Sequence, residues 1–197
     1  MTARRTVSAG YHAAMAAPGP PDPLPVGPPE EGTPTAGRLR RLRTRYPSGV
    51  VVVACQVPEG LRGVTVSSFA AVSLEPPLVL FCLDRELESE GLLREAGGFG
   101  ISVLSDRQEL LSQRFAAAAP LVDDAFTGAP YFVRESGAPL LEDAVAWFDC
   151  RPHATYEGGD HTIFVGRVVW AAENPRQPMP LVTFSRFYAG LSNMRPP

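Results

Sequence analysis

From residue 38 onward, short apolar runs alternate with turn-forming residues, and the runs carry two different periodicities. Leu39, Leu42 and Tyr46 recur at helical spacing among arginines and predict a short helix that stops near Pro47. Val50-Val51-Val52-Val53-Ala54 is short and β-branched, which predicts a buried strand turned back at Pro58-Glu59-Gly60. Val64 to Phe69 reads as extended, and Leu78 to Leu83 reads as a second continuous apolar strand opened by Pro76-Pro77. A helix is predicted over Ser89 to Ala96, closed by Gly97-Gly98, before a strand from Phe99 to Leu104. Ser105 and Gln108 have capping-box spacing and predict a helix that runs to about Ala119. Residues 120–139 are loop-rich. Ala144 to Cys150 alternates as a strand with two differently used faces, Thr162 to Trp170 is the longest strand candidate, and Leu181 to Phe184 is the last.

Six or more strands, few helices and no βαβ rhythm predict an antiparallel barrel. No GxGxxG follows a strand, which disfavours a doubly wound dinucleotide fold. Residues 1–37 differ in kind: they hold eight of the 21 prolines and almost no bulky hydrophobes. Such a segment buries too little apolar area to offset its ordering entropy, so it is expected to be a disordered tail ahead of a single domain over 38–197. Arg4-Arg5 and the short Ala-rich stretch Ala13 to Ala17 are too slight for an export signal, and a cytoplasmic location is expected.

Composition narrows the chemistry. All 18 basic residues are Arg, so Schiff-base chemistry, a pyridoxal phosphate anchor and a P-loop Lys have no residue to use. A net charge of −3 argues against a nucleic-acid partner, and no apolar run reaches the roughly 18 residues of a membrane helix. Three cysteines without CxxC spacing argue against a disulfide framework or zinc knuckle, and the three histidines form no ligand set, so no metal is expected.

Three stretches carry more polar detail than a core needs. Thr65, Val66, Ser67 and Ser68, continuing to Ser73, either face water from an edge strand or offer hydroxyls and backbone N–H groups to a ring edge or phosphate. His161, after Gly158-Gly159-Asp160, is either a solvent-facing residue at a turn or a ligand-positioning and proton-handling group at a strand mouth. Arg186 and Tyr188 either pack conventionally or clamp a planar anion. Cys82, inside an apolar strand, reads as a small buried hydrophobe before it reads as a nucleophile.

Taken in order, these pieces resemble the short-chain flavin reductases of two-component monooxygenases. The match runs from about Leu39 to Leu191 and includes Tyr46-Pro47-Ser48-Gly49-Val50, Gly63 to Phe69, Val72-Ser73-Leu74-Glu75-Pro76-Pro77-Leu78, Phe99 to Ser105, and Gly159-Asp160-His161-Thr162. The resemblance implies a six-stranded antiparallel Greek-key split β-barrel that binds FMN or FAD, with a few flanking helices. It implies NADH or NADPH as hydride donor, a homodimer, and a flavin-dependent monooxygenase that accepts the reduced flavin. By the same resemblance, Thr65, Val66, Ser67, Ser68 and Ser73 line the flavin, with Phe81, Cys82 and Leu83 at the strand end beneath it. Arg85 and Ser89 fall near its phosphate, His161 faces the nicotinamide as the catalytic-site residue, and Tyr188 is the C-terminal aromatic. Glu86, Glu88 and Glu90 surround Ser89, where three carboxylates would repel a phosphate unless they point away. Two other functions fit the same barrel: a non-catalytic flavin-binding module, or an enzyme that keeps its flavin and oxidises its own substrate.

Overall fold

A computed structural model of the chain describes residues 35–116 and 125–191. The expected tail therefore lies outside the described residues except at its last positions, where the first helix, α1, spans Ala36–Arg43. The strands are β1 (Ser48–Gly49), β2 (Val51–Val57), β3 (Gly60–Val66), β4 (Ala70–Leu74), β5 (Pro77–Asp84) and β6 (Phe99–Val103), with α2 (Glu88–Glu95) between β5 and β6. Then follow α3 (Glu109–Phe115), β7 (Tyr131–Val133), β8 (Pro139–Leu141), β9 (Ala146–Gly158), β10 (His161–Glu173), β11 (Leu181–Phe184) and β12 (Phe187–Gly190).

The expectation of an antiparallel, mainly β barrel holds, and its strand count is corrected. The main sheet has seven strands in the order β3-β2-β6-β9-β10-β5-β4, all paired antiparallel. The additional strand is β4, whose Ala70-Ala71-Val72-Ser73-Leu74 stretch carries too little bulk to announce itself. β3 and β4 are the two sheet edges, yet only Ser67, Ser68 and Phe69 separate them along the chain. That crossing is pinned by one side chain. The Ser68 hydroxyl donates to the Cys82 carbonyl (3.1 Å) and accepts from the Cys82 N–H (2.9 Å), taking the place of a strand neighbour on β5.

β2 explains its own unbroken valine run. Val51, Val53, Cys55 and Val57 enter one core with Phe81, Phe99, Ile101 and Phe164, whereas Val52 and Ala54 enter a second with Leu104, Phe115, Leu141 and Leu181. A strand covered on both faces has no reason to alternate with polar residues. Inside the barrel, Phe81 stacks on Phe164 (centroids 5.1 Å apart) and meets Phe99 edge to face. Gly166 lets that ring in, since a Cβ built there would lie 2.4 Å from Phe99.

The Ser105–Gln108 capping box is present, with the Ser105 N–H donating to Gln108 Oε1 at 2.9 Å. It opens a 3-10 turn before α3, and α3 is described only to Phe115; the predicted extension toward Ala119 falls outside the described residues. The β2–β3 hairpin turns at Pro58-Glu59, and β9–β10 turns at Gly159-Asp160, with Gly159 at φ 74°. The β11–β12 turn is less comfortable: Ser185 and Arg186 both sit at positive φ, 51° and 69°. That backbone favours Asn-Gly, and each side chain with a Cβ costs about 1–2 kcal/mol there.

Candidate functional site

The barrel mouth holds a cleft of about 530 Å³. Its floor is the end of β3 and the crossing (Val64, Thr65, Val66, Ser67, Ser68) against the end of β5 (Cys82, Leu83, Asp84). Asp160 and His161 enter from the β9–β10 turn, because His161 pairs with Asp84 across the β5–β10 ladder. Ala36, Leu39, Arg40 and Arg43 close one side, and their spacing is that of a single face of α1.

Seven of the predicted site residues thus meet in one cleft: Thr65, Val66, Ser67, Ser68, Cys82, Leu83 and His161. The others lie elsewhere. Phe81 points into the barrel core, as strand alternation requires when Cys82 faces the cleft. Ser73 is half-buried on β4, past a bulge between Ala71 and Ser73 that re-aims the strand. Arg85 is exposed, 3.8 Å from Glu157, and Ser89 sits in the first turn of α2; neither lines the cleft. Tyr188 packs against the Phe115–Leu181 core and its hydroxyl shares a 2.8 Å hydrogen bond with Ser112 Oγ.

The hydroxyls are not equivalent. Thr65 Oγ1 donates to the Ser112 carbonyl (2.7 Å), so toward a ligand it keeps only acceptor capacity. Ser68 is spent on Cys82. Ser67 is exposed and makes no hydrogen bond among the described residues, which leaves its donor and acceptor for a ligand.

His161 Nδ1 lies 2.7 Å from Asp160 Oδ1. That hydrogen bond holds the Asp160 carboxyl below its usual range, so at neutral pH the carboxylate accepts and Nδ1 carries the proton. Nε2 of the neutral ring is then the lone-pair nitrogen, suited to accept from an amide N–H. Behind it, Thr162 donates to the buried Glu90 (2.6 Å), which also pairs with Arg94. The Thr162 hydroxyl, foremost, and Arg94 lower the Glu90 pKa against the opposing cost of burial. Of the three carboxylates expected to repel a phosphate, Glu90 is therefore turned inward and neutralised, while Glu86 and Glu88 are exposed.

Sequence reasoning missed the α1 face. Its arginines were visible, but which of them reach the cleft depends on which face α1 turns toward the barrel mouth. Cys55 and Cys150 are buried, with thiol pKa values pushed up to about 11 and about 12, chiefly by desolvation, so neither is a nucleophile. No metal-binding group of His, Cys, Asp and Glu occurs among the described residues. No helix among them is long and apolar enough to cross a membrane.

The flavin reductase like domain model matches residues 42–192. An NADH-dependent FAD reductase from Streptomyces globisporus is 41% identical over 152 residues, covering 76% of this chain and 83% of the relative. The reductase subunit of a flavin-dependent monooxygenase from Mycobacterium tuberculosis is 33% identical over 154 residues, 78% of this chain and 81% of that one. The solved Streptomyces globisporus NADH:FAD oxidoreductase in complex with NAD and FAD fragments superposes with a TM-score of 0.73 at 36% identity, covering 79% of this chain and 92% of that one.

Proposed function

The chain belongs to the flavin reductase like family, and from that premise we propose that the cleft at the barrel mouth holds a flavin against a reduced nicotinamide. The activity is that of an NADH-dependent flavin reductase. One observation carries the assignment of the site: Thr65–Ser68 at the end of β3 and the start of the crossing, the β5 end Cys82–Leu83 and His161 converge on a single cleft from three distant parts of the chain. The lining suits a tricyclic ring. Leu39, Val64 and Cys82 supply apolar area, Ser67 an unspent hydroxyl and Thr65 an acceptor. When bound, the flavin supplies a two-electron acceptor for the hydride that leaves the nicotinamide C4, so no protein group has to bond to substrate.

The chain's own contribution is placement. Ser67 donates to the ring edge, and the Ser68–Cys82 latch keeps the crossing still beneath it. Asp160 fixes the His161 tautomer, and Nε2 of that ring accepts from the carboxamide of the nicotinamide. Reduced flavin then leaves to serve an oxygenase, as befits a relative that is the reductase subunit of a flavin-dependent monooxygenase. A homodimer is supported by the apolar side chains left exposed on α1 and β4, Leu39, Leu42, Val72 and Leu74, the last 95% exposed. A reducing, cytoplasmic setting agrees with three free cysteines.

Mixing the protein with NADH, free FMN or FAD and an electron acceptor tests the activity. Turnover that scales with added flavin is the expected result. Flavin binding without NADH oxidation would instead identify a non-catalytic module, and turnover that ignores added flavin would identify a flavin-retaining oxidase of another substrate.

A further inference from the structure

The β9–β10 hairpin that carries His161 is supported unevenly. On one side, β10 pairs with β5 from Arg167 to His161. On the other, β6 pairs with β9 only from Ala146 to Cys150, so Arg151 to Gly158 have β10 as their one strand neighbour. Side chains of α2 reach this half-free ribbon instead. Glu90 and Arg94, one turn apart on α2, pair with each other and with the hairpin. Glu90 accepts from Thr162 Oγ1 at 2.6 Å, and Arg94 donates to Thr162 Oγ1 (3.3 Å) and Thr155 Oγ1 (3.4 Å). Thr155 belongs to β9 and Thr162 to β10, so one guanidinium spans both strands.

Stability alone does not call for such a brace. Thr162 is 2% exposed and Glu90 8%, and apolar residues of similar volume are often as stable as a buried ion pair, or more so. Hydrogen bonds differ from apolar contacts in fixing direction as well as distance. What they fix here is Thr162, and His161 is the adjoining residue. The two side chains point to opposite faces of β10, Thr162 back to α2 and His161 into the cleft. A displacement of Thr162 therefore carries His161 with it.

We propose that Glu90, Arg94 and Thr162 are positioning residues for the reduced nicotinamide: they hold the hairpin where His161 meets the carboxamide. The proposal rests on the reading of His161 as the nicotinamide contact. None of the three lines the cleft, so their effect on substrate passes through His161. Asp160 sets which ring nitrogen accepts, and the brace sets where that nitrogen is. From the β5 side the Arg85 N–H donates to the Asp160 carbonyl (3.0 Å), which limits how far the ribbon swings when the brace is cut.

Thr162→Val keeps the shape of the side chain and removes its hydroxyl, whereas Thr162→Ser keeps the hydroxyl. The valine variant is expected to raise the KM for NADH about three- to tenfold, with kcat and flavin affinity within about twofold, and the serine variant to recover most of that loss. Glu90→Gln is expected to act in the same direction and serves should the valine variant fold poorly. Ser102→Ala is the structural control: it removes a buried 2.9 Å hydrogen bond from the Leu141 N–H, and should lower the melting temperature with the KM unchanged. A double-mutant cycle with His161→Ala decides the route, because Thr162→Val should add no further rise in KM once the imidazole is gone. An unchanged KM for NADH in both Thr162→Val and Glu90→Gln would overturn the proposal. So would a serine variant as impaired as the valine one, a loss of flavin affinity as large as the rise in KM, or an equal rise with and without His161. Failure of the underlying reading shows separately, as a His161→Ala protein whose KM for NADH equals that of the unaltered protein.

Discussion

Three neighbouring hydroxyls, Thr65, Ser67 and Ser68, look interchangeable in the sequence and have three different commitments in the fold. Ser67→Ala should weaken flavin binding several-fold, because one hydrogen bond is worth about 0.5–1.5 kcal/mol net. Ser68→Ala should instead lower the melting temperature by a few degrees and weaken flavin only indirectly, since its bonds go to Cys82. Flavin titration alongside thermal melting separates the two, and the same effects for both variants would show that the hydroxyls act alike. His161→Ala should mainly raise the KM for NADH and leave flavin affinity near that of the unaltered protein. Asp160→Asn should do the same more weakly, since an amide no longer dictates which ring nitrogen holds the proton. Stopped-flow hydride transfer at saturating NADH checks both; a fall there as large as that in kcat/KM would place His161 in the transition state. The residue types of the cleft were legible because the family resemblance carried Thr65–Ser68, Cys82 and His161 in order. Their allegiances were not, because Ser112 and Cys82 lie far along the chain from the hydroxyls that they occupy.

Elements were read well where local chemistry decides and poorly where a neighbour decides. The valine run of β2, the Pro58-Glu59 turn and the Ser105–Gln108 box are local and appear as expected. β8 begins at a proline and β12 follows a Ser-Arg turn, so neither carries the usual strand signal. Asp149 is a different kind of surprise: it sits fully buried in β9, where Ser136 satisfies it through both its N–H and its hydroxyl. α2 is held to β10 by Glu90, Thr162 and Arg94. Because the Glu90 pKa is lowered on folding, its contribution is complete above the ordinary glutamate range and is lost as pH falls through the lower folded value. Glu90→Gln should thus cost about 1 kcal/mol near neutrality and progressively less below about pH 4. Melting curves from pH 7 to pH 3 should show the two proteins converging; a constant gap would mean that Glu90 acts through packing and not through charge. In the neighbouring ladder, Gly166→Ala should destabilise by about 1–3 kcal/mol, since Phe99 has to leave its place against Phe81. A melting temperature equal to that of the unaltered protein would show that the ring moves freely.

At the scale of the molecule, the barrel is a frame on which one short crossing does two jobs. Residues 1–34 are proposed to be dispensable on compositional grounds, so their removal should leave melting temperature and flavin reduction unchanged. Removal through Arg43 takes away the α1 wall of the cleft and should raise the KM for NADH or flavin. The crossing Ser67–Phe69 joins the two edges of the sheet, and its two serines also floor the cleft. Opening the barrel seam and emptying the cleft are therefore linked equilibria. A flavin at a hundred times its dissociation constant adds about 2.7 kcal/mol to the closed form. The Cys82 amide, whose proton is shielded only while the Ser68 oxygen covers it, becomes a natural reporter: its hydrogen exchange should slow in step with flavin occupancy, while amides deep in β2 keep the rate set by global unfolding.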